Sequence, residues 1–517
     1  MRAVRTAPLL LLLAGCSGDS LIAEATLYAR RVAYLADSPQ DETFRLFVAS
    51  YEGSVLDLTG PLVAGGDVLS YAWSPDDRHI AFLADAFFDG FPQLFAVDAA
   101  GGTRVDLAPN LTGFGTVGFF VWAPDGSRVA FVAESQTLSA FDILTVRPDG
   151  LGSVRLNPAF VAGQFVSRIQ FSPDGSRVAY AANQIDPDVQ ELFVAPADGS
   201  APAVRVSGDF VPGGSLAPGA AAFAWAPDGT RIAYLASQDE VGVAGLYVST
   251  PDGAANELVS QVVNGGVSAF AWAPNGARLA YLAQENLAGR IELFTVLPDG
   301  ADRQRVSADL VDGGNVEQVA WSPRSDRLVY RADQELDTRY TLHAVAPTGG
   351  AVDTLSANLF DTGVGAFAWA PDGSRVAYMA RQDSEFFMEL YTVAPDGSQN
   401  LRVSADFPVV GSIGGFVWNP TSASIAYLAD VDVQGVQEVH VTGAQGGSRR
   451  VSGPSATNLS VGAFDWSQDG STVVYIAEQQ TAGIAELWRV SGGSPGKLSG
   501  AQSGGGNVVS FRQPGRP

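Results

Sequence analysis

A serine framed by glycines, three histidines and a recurring Asp/Arg pair are the residues whose types and spacing could carry chemistry. GGSPG at 492–496 matches the G-x-S-x-G pattern, with Ser494 in the nucleophile position. Such an elbow needs a strand before it and a helix after it. Here a glycine-rich turn leads into GKLSG, so Ser494 is not expected to be a hydrolase nucleophile. His343 in TLHAV and His440 in EVHVT fill the slot held by Phe294 and Tyr391 in sister segments, and His79 stands where Arg128 and Arg177 stand. All three read as substitutions within a repeat, neither bases nor ligands. No His/Cys cluster has zinc spacing and no calcium-loop pattern occurs, so no metal or cofactor is expected. Asp125, Asp174, Asp228 and Asp372 each precede an arginine by three residues. One turn type explains them all, so they read as turn formers carrying an exposed ion pair of little energetic weight. The expectation is a protein that is not an enzyme.

The elements that position these residues are strands. WAPDGSRVAYMA at 369–380 returns as WAPDGTRIAYLA at 225–236 and WAPDGSRVAFVA at 122–133. Aligned copies begin at Trp73, Trp122, Phe171, Trp225, Trp272, Trp321, Trp369, Trp418 and Trp466, at spacings of 47 to 54 residues. That is the period of a four-stranded propeller blade. Before the aromatic, AFAW at 222–225 or 366–369 alternates large and small side chains. After it, Pro-Asp-Gly supplies a hairpin turn: proline presets φ, aspartate bonds its own backbone, and glycine accepts positive φ. A second strand (RIAYLA, 231–236), a third (ELFTV, 292–296), another turn (LPDG, 297–300) and a short fourth strand (RVSAD, 305–309 and 402–406) complete the unit. No segment keeps a 3.6-residue apolar period, so almost no helix is expected.

W-[SA]-P-D-G followed by R-[IV]-A-[YF] resembles the TolB-type, WD-like propeller repeats over roughly residues 30–511. The resemblance implies an all-β propeller and says little about function. Copies drift at SPRSD after Trp321, NPTSA after Trp418 and SQDGS after Trp466, where the corner has room to turn differently. RRVAYLAD (30–37), RLFVAS (45–50) and VLDLTG (55–60) read as strands two to four without a first, and NVVSF (507–511) as a first strand alone. Joined, they make a tenth blade, so the chain is expected to form a single propeller of about ten four-stranded blades closed by pairing of its N- and C-terminal strands. Two alternatives stand: two smaller propellers, or closure through ATLYA (25–29) without 507–511.

Apolar residues make up 46% of the 517, enough for a large core, and the formal charge is −24 with one lysine, Lys497. So acidic a surface repels nucleic acid and anionic lipid, which excludes both as direct ligands. Arg2, Arg5 and the apolar run Ala7 to Ala14 read as a signal segment too short to span a bilayer. Leu13-Ala14-Gly15-Cys16 resembles the lipobox of bacterial lipoproteins, which implies cleavage before Cys16, lipidation of that cysteine, and membrane attachment through the lipid only. Ser17 in place of aspartate favours, by the same resemblance, the outer membrane of a Gram-negative envelope. The resulting division is signal peptide 1–15, lipidated tether 16–29, propeller 30–511 and C-terminal tail 512–517.

In a ring of such blades, one face carries the short Pro-Asp-Gly turns. The other carries the links from strand two to three and from strand four to the next blade. The second face holds the variable sequence. Its candidate binding rim, gathered around the channel mouth, comprises Asp186, Asp188, Asp239, Glu240, Glu285, Glu335, Asp337, Asp383 and Glu385 with Phe386 and Phe387. The reading that follows is a non-enzymatic envelope scaffold that binds a basic patch on a protein partner, with no oligomeric state specified. Acids that only keep the protein soluble are the plainer reading. A glycan-binding propeller using Phe87, Phe88, Phe91, Phe386 and Phe387 is a further alternative, and a hydrolase a more distant one.

Overall fold

The computed structural model describes residues 30–37, 43–109, 111, 115–134, 141–219, 222–261, 263, 265–357, 359–360, 363–407, 411–453, 460–480, 482–500 and 506–515. The segments read as signal, Cys16 tether and ATLYA lie outside them. The described residues form ten four-stranded antiparallel sheets and no helix.

One blade shows how the repeat builds a sheet. Val267–Trp272, Leu279–Ala283, Glu292–Val296 and Gln304–Arg305 pair in that order. In register, Phe270 faces Tyr281, Tyr281 faces Phe294, and Phe294 faces Arg305, while Ala271 faces Ala280 and Ala280 faces Thr295. Because strand side chains alternate, the aromatics land on one face of the sheet and Ala271 and Ala280 on the other. The bulky face of one blade then packs into the small face of the one before. Tyr281 and Phe294 join a buried cluster with Ala233, Leu235, Leu246 and Val248 of the preceding blade. Ala280, Leu282 and Leu293 join the next with Leu328 and Tyr330.

Ten such interblade clusters connect the ten sheets in a cycle. The decisive two flank the composite blade. Val32, Tyr34 and Val508 pack with Val474, Ile476 and Leu487, and Ala33, Leu35 and Val48 pack with Tyr71, Phe82 and Phe95. The molecule is one ten-bladed propeller, which removes the two-ring alternative.

Closure uses the last strand of the chain. Val508–Arg512 pairs with Arg31–Asp37, followed by Phe44–Ser50 and Val55–Asp57. Closure without 507–511 is therefore overturned. Phe511 faces Tyr34 as Phe270 faces Tyr281, so Gln513 occupies the tryptophan slot. Its Oε1 accepts a 2.9 Å hydrogen bond from the buried Tyr51 hydroxyl, tying residues 462 positions apart.

Two details differ from expectation. All nine corners turn alike: the slot four residues after the aromatic has positive φ whether it holds Gly126, Gly373 and Gly470 or Asp77 (60°), Ser325 (63°) and Ser422 (63°). The i→i+3 bond recurs in both sets, from Gly126 N to Ala123 O and from Ser325 N to Ser322 O, each at 2.9 Å. Both serines are tied to the adjacent corner in this disfavoured conformation, Ser325 Oγ accepting from Asn275 N at 3.0 Å and Ser422 Oγ from Asp372 N at 2.9 Å. The fourth strand is also shorter than RVSAD, ending at Arg305 and Arg402. The next two residues instead satisfy the third strand: Val306 N donates to Leu293 O at 2.9 Å, and Ser307 Oγ accepts from Leu293 N at 3.2 Å.

Candidate docking face

The loops from second to third strand leave from the middle of each sheet. In eight blades they span eight residues, from Ala84 to Gln93, Ala182 to Glu191, Ala236 to Gly245, Ala283 to Glu292, Ala332 to Thr341, Ala380 to Glu389, Ala429 to Glu438 and Ala477 to Glu486. Four of their bases are built alike. The buried second-strand tyrosine donates its hydroxyl to the amide four residues on: Tyr180 to Gln184 (3.0 Å), Tyr234 to Gln238 (2.5 Å), Tyr330 to Gln334 (3.0 Å) and Tyr378 to Gln382 (2.6 Å). The interblade link lies against the same loop, Val211 N donating to Gln238 O at 2.9 Å and Ser215 N to Ser237 Oγ at 3.0 Å. Both sets of connections thus share one face. The links lead to the first strand of the next blade, while the loops leave from between the two central strands of each sheet.

Glu285 is the exception among the rim residues. It occupies the glutamine slot, accepts from Tyr281 Oη at 2.9 Å and from Gln261 N at 2.7 Å, pairs with Arg303, and is 6% exposed. It is a structural acceptor and does not belong to the rim. Phe387 also turns inward, half-buried and stacked on Phe407 with centroids 5.6 Å apart. Asp186, Asp188, Asp239, Glu240, Glu335, Asp337, Asp383, Glu385 and Phe386 are exposed. Several are held in place: Asp239 accepts from Tyr247 Oη at 2.8 Å, Asp383 from Tyr391 Oη at 3.2 Å, and Asp186 from Asp188 N at 3.0 Å. Burial, then the adjacent Asp239 carboxylate, raises the Tyr247 pKa, so this phenol stays protonated and donating.

The opposite face carries shallow polar clefts between corners. One of about 450 Å³ sits by Arg305 and Gly349 at the outer edge, one of about 570 Å³ is lined by Asp125, Arg128, Asp174 and Arg177, and one of about 270 Å³ by Asp228, Arg231 and Trp272. The corner carboxylates are turn formers: Asp125 accepts from Ser127 N (2.9 Å), Asp228 from Thr230 N (2.9 Å) and Asp372 from Ser374 N (2.9 Å). Hydrogen bonds from the Ser172 hydroxyl and from Ser176 hold Asp174 down at about 2. The expected ion pair with the following arginine is replaced by a longer reach. Arg128 donates to Gly152 O at 3.1 Å and Arg375 to Gln399 O at 2.7 Å, each stapling the corner to the turn between strands three and four.

The other chemical candidates are absorbed by the repeat. His343 and His440 stack on Tyr330 and Tyr427 at 5.2 and 5.4 Å, as Phe294 stacks on Tyr281. Ser494 lies in a bend before the strand Gly496–Lys497, so it sits on no strand-to-helix elbow.

Sequence reading missed the acid–base pairs that brace the outer strands. Glu191 pairs with Arg205 (3.0 Å), Glu292 with Arg305 (2.7 Å), Glu389 with Arg402 (2.8 Å) and Glu438 with Arg450 (3.2 Å), and Glu486 with Lys497. Each glutamate is buried, and a buried carboxylate is tolerated only with a partner. Their signal is the recurring glutamate at the start of strand three and arginine 12 to 14 residues later, in E-L-[FY] and R-V-S.

No family model matches the chain, and no curated protein does. Among solved structures, the chain is similar to the crystal structure of TolB from Acinetobacter baumannii, at 18% identity over 53% of this chain and 62% of that one, with a TM-score of 0.27. The match thus spans less than two thirds of that protein. The ten-bladed ring itself rests on strand order and interblade packing.

Proposed function

We propose that this protein is a non-enzymatic, lipid-anchored scaffold of the bacterial envelope whose loop face docks another protein. One observation carries the docking: eight loops of equal length stand on equivalent blades, four of them with bases fixed by a tyrosine-to-glutamine bond, and their tips differ in sequence. A rigid frame displaying variable exposed side chains is the arrangement by which loops recognise partners. Against it, the corner face offers repeated carboxylates already committed to turns. The anchor and address follow from Leu13-Ala14-Gly15-Cys16 and Ser17 in the sequence.

The test is crosslinking in native envelopes followed by capture with the purified ring, against a variant reversing Asp186, Asp188, Asp239 and Glu240. Loss of the captured protein with the variant supports docking through this face. Unchanged capture removes it. Palmitate labelling that persists after Cys16→Ser removes the anchor.

A further inference from the structure

Large apolar side chains are exposed unevenly on this molecule. Ile185, Val241, Leu287, Leu336, Phe386 and Val433, each from the loop of a different blade, are 45 to 66% exposed. On the same face the interblade links add Val161 (63%), Phe165 (46%), Val263 (36%) and Phe360 (43%). Among the described residues, the corner-face turns show Leu151 (60%), with Leu56 (38%) and Val204 (42%) exposed on the outer strands beside them. Scattered exposed apolar residues need no explanation, but a recurrence within the middle four positions of equivalent loops does.

The apolar tips do not stand alone. Ile185 is followed by Asp186, Val241 preceded by Asp239 and Glu240, Leu336 flanked by Glu335 and Asp337, Phe386 preceded by Glu385, and Val433 preceded by Asp432. These acids are exposed. Basic residues near the tips are already engaged: Arg290 Nη2 donates to Asp312 at 3.2 Å, and Arg339 lies 3.9 Å from Glu335. At five of the ten blades the loop therefore presents an apolar side chain beside one or two exposed carboxylates, of which Glu335 and Asp432 are paired with Arg339 and Arg450, while Leu287 has no exposed acid next to it.

From this juxtaposition we infer that the partner of the loop face is a protein surface presenting apolar side chains flanked by lysine or arginine, gripped at several blades at once. The inference rests on the docking reading above and adds the partner's chemistry. Charge complementarity selects the partner's sign and steers the encounter, while the tips supply the burial that holds it. An anionic bilayer is repelled by the same carboxylates, and a strongly hydrated polycation without apolar groups leaves the tips uncovered. Contacts at several equivalent positions give multivalent binding, so weak single contacts suffice.

The probe is a synthetic helical peptide with leucine on one face and lysine on the other, titrated into the folded ring by fluorescence anisotropy. Controls are the same peptide with leucine replaced by glutamine, and phosphatidylcholine vesicles. The ring is compared with a variant carrying Ile185→Ser, Val241→Ser, Leu336→Ser and Phe386→Ser, whose net charge is unchanged, and with the four-site charge reversal. All four serine positions are exposed, and an unchanged melting temperature confirms the fold. The expected result is a loss of at least about tenfold for the Leu/Lys peptide on the serine variant, the weight of one or two apolar side chains leaving water. The Leu→Gln peptide should be unaffected by the same variant. Equal binding of the Leu/Lys peptide to both rings overturns the inference. If the charge reversal still weakens it, the docking reading survives. No binding of that peptide to the native ring also overturns the inference, and tip-dependent cosedimentation with vesicles does so by reassigning the tips to lipid.

Discussion

The indole Nε1 of Trp321 donates a 3.1 Å hydrogen bond to the carbonyl oxygen of Ala271 in the preceding blade. The contact recurs from Trp73 to Arg512, Trp122 to Ala72, Trp225 to Gln170, Trp272 to Ala224, Trp369 to Ala320, Trp418 to Ala368 and Trp466 to Val417. The repeated tryptophan thus both packs and bonds across each interface, and the two slots lacking it hold Phe171 and Gln513. Trp321→Phe keeps most of the apolar contact and strips the donor. It should lower unfolding free energy by about 1–2 kcal/mol, read by urea denaturation, because the carbonyl is left unpaired where water is scarce.

Glu285 offers a second test. Glu285→Gln restores the side chain found at Gln238, Gln334 and Gln382 and should change stability by less than about 1 kcal/mol. Glu285→Ala leaves the Tyr281 hydroxyl and the Gln261 amide without their acceptor and should cost about 2–3 kcal/mol. Neither should weaken capture of the partner, since the residue is buried. Thermal melts and the capture assay check both halves, and a loss of capture with a full-strength fold would return Glu285 to the rim.

The stacked histidines predict a pH dependence. Burial depresses His343 and His440 from 6.5 to about 4, so the core holds the neutral ring. The unfolded chain takes up its proton near 6.5. The stability these two contribute is therefore complete above pH 6.5 and is lost as pH falls through that value toward 4. His343→Phe combined with His440→Tyr, the residues of sister blades, should flatten stability over that window, measured as melting temperature at stepped pH. An unchanged slope would place the acid sensitivity elsewhere.

The ring, its blade count and its closure were legible because the corner phrase, the tryptophan slot and the alternation of large and small residues all repeat at one period. Finer features were lost where one residue type serves two roles. Glu285 reads as a surface acid, yet Tyr281 four positions earlier shares the Tyr-x-x-x-Gln spacing of Tyr234 and Gln238. Phe386 and Phe387 are neighbours in sequence, and only the loop's path sends one to solvent and the other onto Phe407. The corners after Trp321, Trp418 and Trp466 suggested altered turns because they drift from Pro-Asp-Gly, yet Ser325, Ser422 and Gly470 all keep the positive φ. Thr338 is a similar case: its φ of 68° falls where Gly242 and Gly289 stand in sister loops. The apolar tips at Ile185, Val241, Leu336 and Val433 escaped notice beside the acids, because single apolar residues in loops carry no periodic signal.

The tie between Tyr51 and Gln513 also sets the order of events during synthesis. The sheet that begins at Arg31 lacks its fourth strand until Val508–Arg512 has been made, so Val32 and Tyr34 on one flank stay uncovered until that late point. A chain without residues 507–513 forfeits both that strand and the Gln513 bond, which leaves this one blade open and its flanks exposed to local unfolding.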